Sequence, residues 1–294
     1  EPFFVSVGLG TTHRTYADPD EGDHAPELSR PPEPLPDTPR TRYDMAAYKA
    51  SARLMDEQMG RVLDALDASE HADNTLVICT TDHGIAFPRM KCNLTDGGTG
   101  VMLIMRGPGG FDGGGNCDAL ISQIDLFPTL CELLDLEKPQ WLQGTSFMPV
   151  IRGETEEVNE AVFSEVSYHA AYEPQRSVRT KRYKYIRRFG ERADRVILPN
   201  CDDGPSKEVW MEAGWGEQAV DPEQLYDLTY DPVETNNLVG NGSADEILAD
   251  MRRRLDRWMQ ATDDPLLDGK VPVPEGARVN DPNGESPSEP VAEA

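Results

Sequence analysis

The sequence predicts an α/β fold followed by a small antiparallel sheet, and three patterns support this prediction. Two apolar runs, at residues 76–81 and 101–110, have the length and composition of buried strands. Amphipathic segments at residues 44–66 and 122–136 are typical of helices that cover such a sheet. After residue 160, short runs with alternating apolar residues indicate antiparallel strands.

The N-terminal part of the chain is expected to contain strands and helices in alternation. Residues 3–8 (FFVSVG) predict a buried strand that ends at a glycine, and residues 17–43 predict a long loop rich in Pro, Asp and Glu. Asp44 is a plausible N-cap for a helix, and Ser122 is a plausible cap for the helix at residues 122–136. The apolar face of the first helix is expected to hold Tyr48, Ala52, Met55, Met59, Val62 and Leu66.

The C-terminal part is expected to form the small sheet and one more helix. The predicted strands lie at residues 161–166, 177–180, 182–188 and 224–228, and the helix lies at residues 243–261. Tyr226 and Trp258 are expected in the core, whereas Arg176, Arg179 and Lys184 are expected to pair with carboxylates. Residues 265–294 are rich in Pro, Glu, Gly and Ser and predict a disordered tail. The predicted domains are therefore 1–155, 156–264 and 265–294.

The charge of the chain excludes two classes of partner. It has 53 acidic and 28 basic residues, for a formal net charge of −25. Such a surface argues against binding to nucleic acid or to an anionic membrane, and no apolar run is long enough for a membrane-spanning helix. Only seven of the basic residues are lysines, which is typical of salt-adapted proteins, although an acidic tail is a simpler explanation. The composition leaves open whether this soluble protein is cytoplasmic or exported.

One short stretch, TTDHG at residues 80–84, combines chemically active side chains at the end of a predicted strand. Asp82 offers an oxygen and His83 a nitrogen, and together they suit a divalent cation. Gly84 lets the backbone pass close to a ligand. Lys91 can place a positive charge against an anion. An Asp-His pair at a strand end is also found as a helix cap or a salt-bridged turn, so these residues alone leave both interpretations open.

The wider stretch resembles the sulfatase family of the alkaline-phosphatase superfamily. The resemblance consists of TTDHG, then Lys91, then Asp96-Gly97-Gly98, then VMLIMRGPGG, with Asp96 in place of the glutamate of the family. Four further blocks follow the family's order over residues 2–262. They are PFFVSVGLGTTHR, YKASARLMDEQMGRVLDAL, QIDLFPTLCELLDLEKPQWLQGTSFMPVIRGE, and RSVRTKRYKYIRR with LYDLTYDPVETNNL. GIAFPRMKCNL and EVSYHAAYEPQRSVRT are similar to the sulfamidase (N-sulfoglucosamine sulfohydrolase) branch.

The resemblance implies a fold and a set of roles. The fold is an alkaline-phosphatase-like three-layer α/β sandwich with a small C-terminal antiparallel sheet plus helix. Asp82 and His83 are implied to be ligands of Ca²⁺ or Mg²⁺, and Lys91 to bind a sulfate oxygen. His13 is implied to contact the sulfate and protonate the leaving group, which His169 would meet. The residues alone leave open that His13 is an ordinary turn residue and that His169 is a surface histidine.

The resemblance also implies parts that this sequence does not contain. Sulfatases convert a cysteine within Cys-x-(Pro/Ala)-Ser-Arg to formylglycine, and none of the five cysteines here lies in that motif. The Asp-Asp pair that gives the family its other metal ligands is also absent. We therefore expect a chain truncated at its N-terminus, inactive alone, that associates with a missing N-terminal half.

The expected substrate is a sulfated small molecule or glycan. Three alternatives remain open at this point: a phosphodiesterase or phosphonate hydrolase of the same superfamily, a non-catalytic protein that binds sulfated glycans, and a subunit of a split enzyme.

Overall fold

A long helix and a two-stranded sheet dominate the N-terminal part, and a four-stranded sheet with a helix dominates the C-terminal part. A computed structural model describes residues 2–19 and 25–293, with the backbone alone at residues 292–293. The α-helices of this described part are α1 (Pro39–Asp67), α2 (Asp96–Thr99), α3 (Leu126–Leu133), α4 (Met148–Ile151), α5 (Pro205–Glu212) and α6 (Asp245–Ala261). The strands are β1 (Val77–Thr80), β2 (Leu103–Arg106), β3 (Val162–Tyr168), β4 (Tyr172–Arg179), β5 (Tyr183–Arg188), β6 (Glu223–Asp227), β7 (Arg278–Val279) and β8 (Ala292–Glu293).

Short 3-10 turns connect several of these elements. They lie at Pro26–Leu28, Ala72–Asn74, Gln123–Asp125, Leu198–Asn200, Trp215–Glu217, Gly242–Ala244 and Pro265–Leu267. No helix among the described residues has both the length and the apolar content needed to cross a lipid bilayer. Part of the predicted loop at residues 17–43, residues 20–24, lies outside the described residues.

The strands predicted in the two apolar runs and the predicted helix after Ser122 are found, but the strands are not buried as predicted, since Ile104 is 58% exposed. β1 and β2 form an antiparallel pair in which Val77 lies opposite Arg106, within the two predicted apolar runs. Ser122 and Asp125 form a reciprocal capping box, so the predicted cap is confirmed, and the helix begins there with a 3-10 turn. β1 ends at Thr80, which places the Asp82-His83-Gly84 turn directly after the strand.

The predicted strand at residues 3–8 is wrong. These residues have no regular secondary structure, and Phe3, Phe4, Val5 and Val7 are exposed. An apolar sequence becomes a strand only where another strand accepts its hydrogen bonds. Among the described residues, no strand pairs with this segment, since β1 pairs with β2 in an isolated two-stranded sheet.

The first helix begins six residues earlier than predicted. Thr38 and Thr41 form its capping box and Pro39 occupies the first turn, where its missing N–H costs no hydrogen bond. Asp44 is therefore not the N-cap; it lies inside the helix, where its side chain is buried in an ion pair with Arg14. The predicted apolar face is also wrong in part: Tyr48 packs in a small aromatic core, but Val62 is exposed. The fully buried positions are Thr41, Asp44, Ala46, Ala47, Ala50 and Ser51.

The C-terminal sheet and helix are confirmed. The four strands pair in the antiparallel order β3-β4-β5-β6, and α6 packs on one face of this sheet. Val178, Tyr185 and Leu225 of the sheet meet Leu255 and Met259 of the helix in the largest apolar cluster. Tyr226 is buried, and Trp258 stacks on Phe163, as predicted for core residues.

The basic residues of β4 and β5 pair with carboxylates, as the sequence predicts. Arg176 pairs with Asp264, and both side chains are almost completely buried. Arg179 and Lys184 both pair with Asp96, which links α2 to the sheet. Residues 268–291 are mostly irregular, but Asn280 is buried and its N–H donates to the carbonyl of Ala170. The predicted domain boundaries stay a prediction.

Candidate functional site

His13 and Lys91 lie together although 78 residues separate them in the chain. The Lys91 Nζ atom is 3.4 Å from His13 Nε2. The His13 Nδ1 atom is 2.7 Å from the carbonyl oxygen of Arg14. Because a carbonyl can only accept a hydrogen bond, this contact places the neutral-ring proton on Nδ1 and leaves the Nε2 lone pair toward Lys91. His13 is exposed, whereas Lys91 is only 6% exposed beneath it.

Lys91 has a second partner that the sequence analysis missed. Its Nζ atom donates to Asp202 Oδ2 at 2.8 Å, and the Asp202 side chain is 16% exposed. Asp202 lies 111 residues from Lys91, in the loop before α5. Its only local signal is an acidic pair before Gly204-Pro205, which does not distinguish a site residue from a solvated loop residue.

His169 lies at the exposed rim of the same group. It occupies the turn between β3 and β4. Partial desolvation of the ring lowers the pKa of His169, and the positive charge of Lys91 lowers it further, while Asp202 opposes both. The charges of Lys91 and Asp202 therefore both act on His169. The lowered pKa favours the neutral form of its ring. We call His13, Lys91, His169 and Asp202 the polar cluster.

Asp82 and His83 lie at the end of β1 as predicted, and they are oriented toward each other. The His83 Nδ1 atom is 2.6 Å from the carbonyl oxygen of Gly84, which leaves Nε2 with a free lone pair. This Nε2 atom is 3.6 Å from Asp82 Oδ2. A histidine whose other ring nitrogen donates to a backbone carbonyl is typical of metal ligands. Asp82 is largely exposed, with 87% of its side chain accessible.

Asp82 and His83 do not form a complete metal site among the described residues. Asp82 and His83 offer two compatible donor atoms, but no group of three or more His, Cys, Asp or Glu side chains in residues 2–19 and 25–293 is arranged to hold a metal. Ca²⁺ usually takes about 6–8 oxygen ligands. Two donor atoms are therefore too few to hold Ca²⁺ without further ligands.

A close backbone contact fixes the Asp82-His83-Gly84 turn. The N–H of Gly84 donates to the carbonyl of Gly98 at 2.8 Å. A Cβ atom at residue 84 would lie 1.9 Å from the carbonyl oxygen of Gly97, which excludes any side chain there. The two glycines that follow Lys91 therefore hold the predicted metal-ligand turn beside the polar cluster.

A buried ion pair fixes the loop that contains His13. Arg14 donates from both terminal nitrogens to the two carboxylate oxygens of Asp44, each at 2.8 Å, and from Nε to the carbonyl of Ala86. Asp44 also accepts from the N–H of Ser206 at the start of α5. This bidentate pair joins the His13 loop, α1 and the loop of Asp202, so it positions two members of the polar cluster at once.

Asp96 does not belong to the polar cluster. Its carboxylate accepts from Arg179 Nη2 at 3.0 Å and Lys184 Nζ at 2.8 Å, and its N–H donates to Glu234 Oε2. Burial would raise the pKa of Asp96, but the two cations lower it overall. Asp96 therefore anchors the Gly97-Gly98 segment to the C-terminal sheet.

Comparisons with known proteins connect this geometry to one family. A family model described as Sulfatase matches residues 1–136, and a model described as N-sulphoglucosamine sulphohydrolase, C-terminal, matches residues 91–209. The chain is 31% identical over 234 residues to an ulvan-active sulfatase of Formosa agariphila, a match that covers 78% of this chain and 46% of that protein. It is 27% identical to the N-sulphoglucosamine sulphohydrolase of Homo sapiens, a match that covers 90% of this chain and 62% of that protein.

Solved structures support the same assignment. The chain aligns to the structure of BT1596, a 2-O GAG sulfatase, with a TM-score of 0.62 and 28% identity, over 79% of this chain and 46% of that one. The predicted alkaline-phosphatase-like α/β fold is thereby confirmed. The chain spans about half the length of the relatives that it matches. The overlapping family models, the relatives and the shared fold agree, and this chain belongs to the sulfatase family.

Proposed function

We propose that this chain supplies the sulfate-binding part of a metal-dependent hydrolase of sulfate esters or sulfamates on sugars. The observation that carries the proposal is the buried Lys91 ammonium within 3.4 Å of His13 Nε2. A buried cation can bind a sulfate oxygen, and a histidine beside it can donate a proton to the leaving group. The names of an ulvan-active sulfatase and an N-sulphoglucosamine sulphohydrolase among the relatives favour a sulfated sugar as the substrate.

Each member of the site has a role that suits its chemistry. Lys91 binds a sulfate oxygen and stabilises negative charge that develops during S–O or S–N cleavage. His13 protonates the leaving oxygen or nitrogen after taking a proton at Nε2. His169 contacts the leaving group from the rim. Asp82 and His83 would contribute ligands to a Ca²⁺ or Mg²⁺ ion, which when bound would supply further charge stabilisation.

This chain alone is not expected to turn over substrate. It contains no Cys-x-(Pro/Ala)-Ser-Arg motif and therefore no formylglycine nucleophile. In this proposal, a second polypeptide segment supplies the nucleophile and the remaining metal ligands. We propose that the two parts associate, because the residues proposed to bind sulfate lie in this chain.

Titration calorimetry with methyl sulfate tests the binding role of Lys91. Lys91→Ala should weaken binding by about tenfold or more, because it removes a hydrogen bond to a charged group. Lys181→Ala is the matched control: Lys181 is an exposed lysine paired with Glu157, and its removal should leave binding unchanged. Equal affinities of the native chain and Lys91→Ala would contradict the proposal.

The same titrations distinguish the alternatives. Tighter binding of methyl phosphate than of methyl sulfate would favour a phosphodiesterase or phosphonate hydrolase. Binding of a sulfated sugar that persists in a reconstituted complex without turnover would favour a non-catalytic glycan-binding protein. Hydrolysis of an aryl sulfate by the purified chain would overturn the expectation that it is inactive alone.

A further inference from the structure

The Lys91–Asp202 ion pair affects which anions bind at Lys91. Lys91 Nζ makes hydrogen bonds to Asp202 and His13, and the Lys91–Asp202 contact of 2.8 Å is a direct ion pair. Both side chains are shielded from water, which weakens the screening of their charges. Any sulfate group that reaches Lys91 therefore also meets the negative charge of Asp202 at short range.

Contacts other than Lys91 hold the Asp202 loop in place. Asn200, which is 4% exposed, exchanges two hydrogen bonds with the backbone of Ala171 near His169. Buried Lys207 donates to the carbonyls of Leu198 and Cys201. The loop is thus fixed on both sides of Asp202, so the carboxylate should stay near Lys91 when an anion arrives.

The charges of Lys91 and Asp202 in the polar cluster cancel each other. Lys91 contributes one positive charge and Asp202 one negative charge, and the lowered pKa of His169 favours the neutral form of that ring. A sulfate ester has one negative charge, whereas the free sulfate ion has two. Since Coulomb energy is proportional to the product of the charges, a fixed carboxylate repels sulfate twice as strongly as it repels an ester at the same place.

We propose that Asp202 sets the charge selectivity of the site, so that it holds singly charged sulfate esters and releases the doubly charged sulfate ion. This inference rests on the proposed function, because it assigns the released sulfate as a product of the site. Asp202 acts on the bound anion through its charge and takes no part in the cleavage step. Hydrolysis of an ester transfers the sulfuryl group to water and yields the alcohol, a proton and sulfate, so retention of the dianion would inhibit the next turnover.

Calorimetric titration of Asp202→Asn with sodium sulfate and with methyl sulfate, at constant ionic strength, tests this proposal. Asparagine keeps the size of the side chain and removes the charge. We expect the affinity for sulfate to rise about tenfold and the affinity for methyl sulfate about threefold, because the free-energy change for the dianion is twice that for the monoanion. Asp203→Asn is the charge-matched control, since Asp203 pairs with Lys207 and not with Lys91. It should change neither affinity.

The outcomes separate this inference from the proposed function. Equal changes for both ligands, no change, or the same change in Asp203→Asn would overturn the selectivity role of Asp202. If Asp202→Asn does not fold, as judged by circular dichroism, Asp202→Ser replaces it with the same expected ratio. Equal affinities of Lys91→Ala and Lys181→Ala for methyl sulfate would contradict the proposed function, whatever the result for Asp202→Asn. If no variant binds either ligand, both proposals fail.

Discussion

At the scale of single residues, Glu234 is a buried carboxylate whose ionisation the fold disfavours. It is 1% exposed, and its Oε2 atom accepts from the N–H of Asp96 at 2.5 Å. Its Oε1 atom is buried without a hydrogen-bond partner among the described residues. Burial raises the pKa of Glu234 to about 7, although Lys184 opposes the shift. The folded chain therefore holds a proton on Glu234 more tightly than the unfolded chain does.

This shift gives the stability of the chain a defined pH dependence. A carboxyl whose pKa is raised by folding contributes stability below its unfolded pKa, and that contribution is lost as pH rises through about 7. Glu234→Gln stays neutral at every pH. Relative to the native chain, the variant should therefore gain on the order of 2–3 kcal/mol in unfolding free energy between pH 5 and pH 8.

Urea unfolding at the two pH values measures this gain. Glu275→Gln, at an exposed position, is the control and should differ from the native chain by the same amount at both pH values. A difference between native chain and Glu234→Gln that does not change with pH would show that Glu234 is ionised in the fold.

The roles of Asp202 and Glu234 could not be predicted from the sequence. Asp202 and Glu234 lie in loops without periodicity, and their partners Lys91 and Asp96 are 111 and 138 residues away. A long-range ion pair such as Lys91–Asp202 and a long-range hydrogen bond such as that between Asp96 and Glu234 leave no local pattern. His13 and Lys91 were predicted because they lie in motifs that resemble a family, and the structure brings them together.

At the scale of elements, the C-terminal sheet was predictable and the N-terminal strand was not. β3–β6 are consecutive or nearly so, and hairpins of alternating residues pair locally. Residues 3–8 have an equally apolar pattern, but a strand also requires a partner edge that local sequence does not reveal. The start of α1 was misplaced because Asp44 resembles an N-cap, whereas the Thr38 capping box with Pro39 is the stronger signal.

The difference in burial between α6 and α1 predicts which leucine truncation lowers the unfolding free energy more. Leu255 of α6 is completely buried against the C-terminal sheet, whereas Leu54 of α1 is 38% exposed. Leu255→Ala should lower the unfolding free energy by about 2–5 kcal/mol, because it removes buried methyl groups and leaves a cavity. Leu54→Ala is the control of the same residue type and should have a much smaller effect.

Chemical denaturation monitored by circular dichroism compares these two variants. Because Trp258 stacks on Phe163 beside the same core, tryptophan fluorescence should report loss of the C-terminal unit in Leu255→Ala at lower denaturant. Equal stabilities of the two variants would mean that α6 does not stabilise the sheet.

At the scale of the whole molecule, the described residues include exposed apolar side chains and strand edges without a partner strand. Phe4 is 89% exposed and Ile104 of β2 is 58% exposed, in a sheet of only two strands. Exposed apolar residues and open strand edges are typical of surfaces that bind another chain. Both features are compatible with the proposed association with a second polypeptide segment.

The net charge of the molecule predicts how its stability depends on salt. With 53 acidic against 28 basic residues, the folded chain repels itself more strongly than the expanded unfolded chain does. Raising the salt concentration from about 0.1 M to 1 M shortens the screening length from about 10 Å to about 3 Å and weakens this repulsion. The melting temperature should therefore rise with KCl by several degrees, which differential scanning calorimetry measures. Ion pairs such as Arg40 with Glu212 are exposed and contribute little to stability, so their screening by salt should cost little.

Sucrose serves as the uncharged control for this salt effect, since a stabilisation as large with sucrose as with KCl would indicate solvent exclusion. A melting temperature that falls with KCl would mean that ion pairs outweigh the repulsion, and it would argue against adaptation to a high-salt environment.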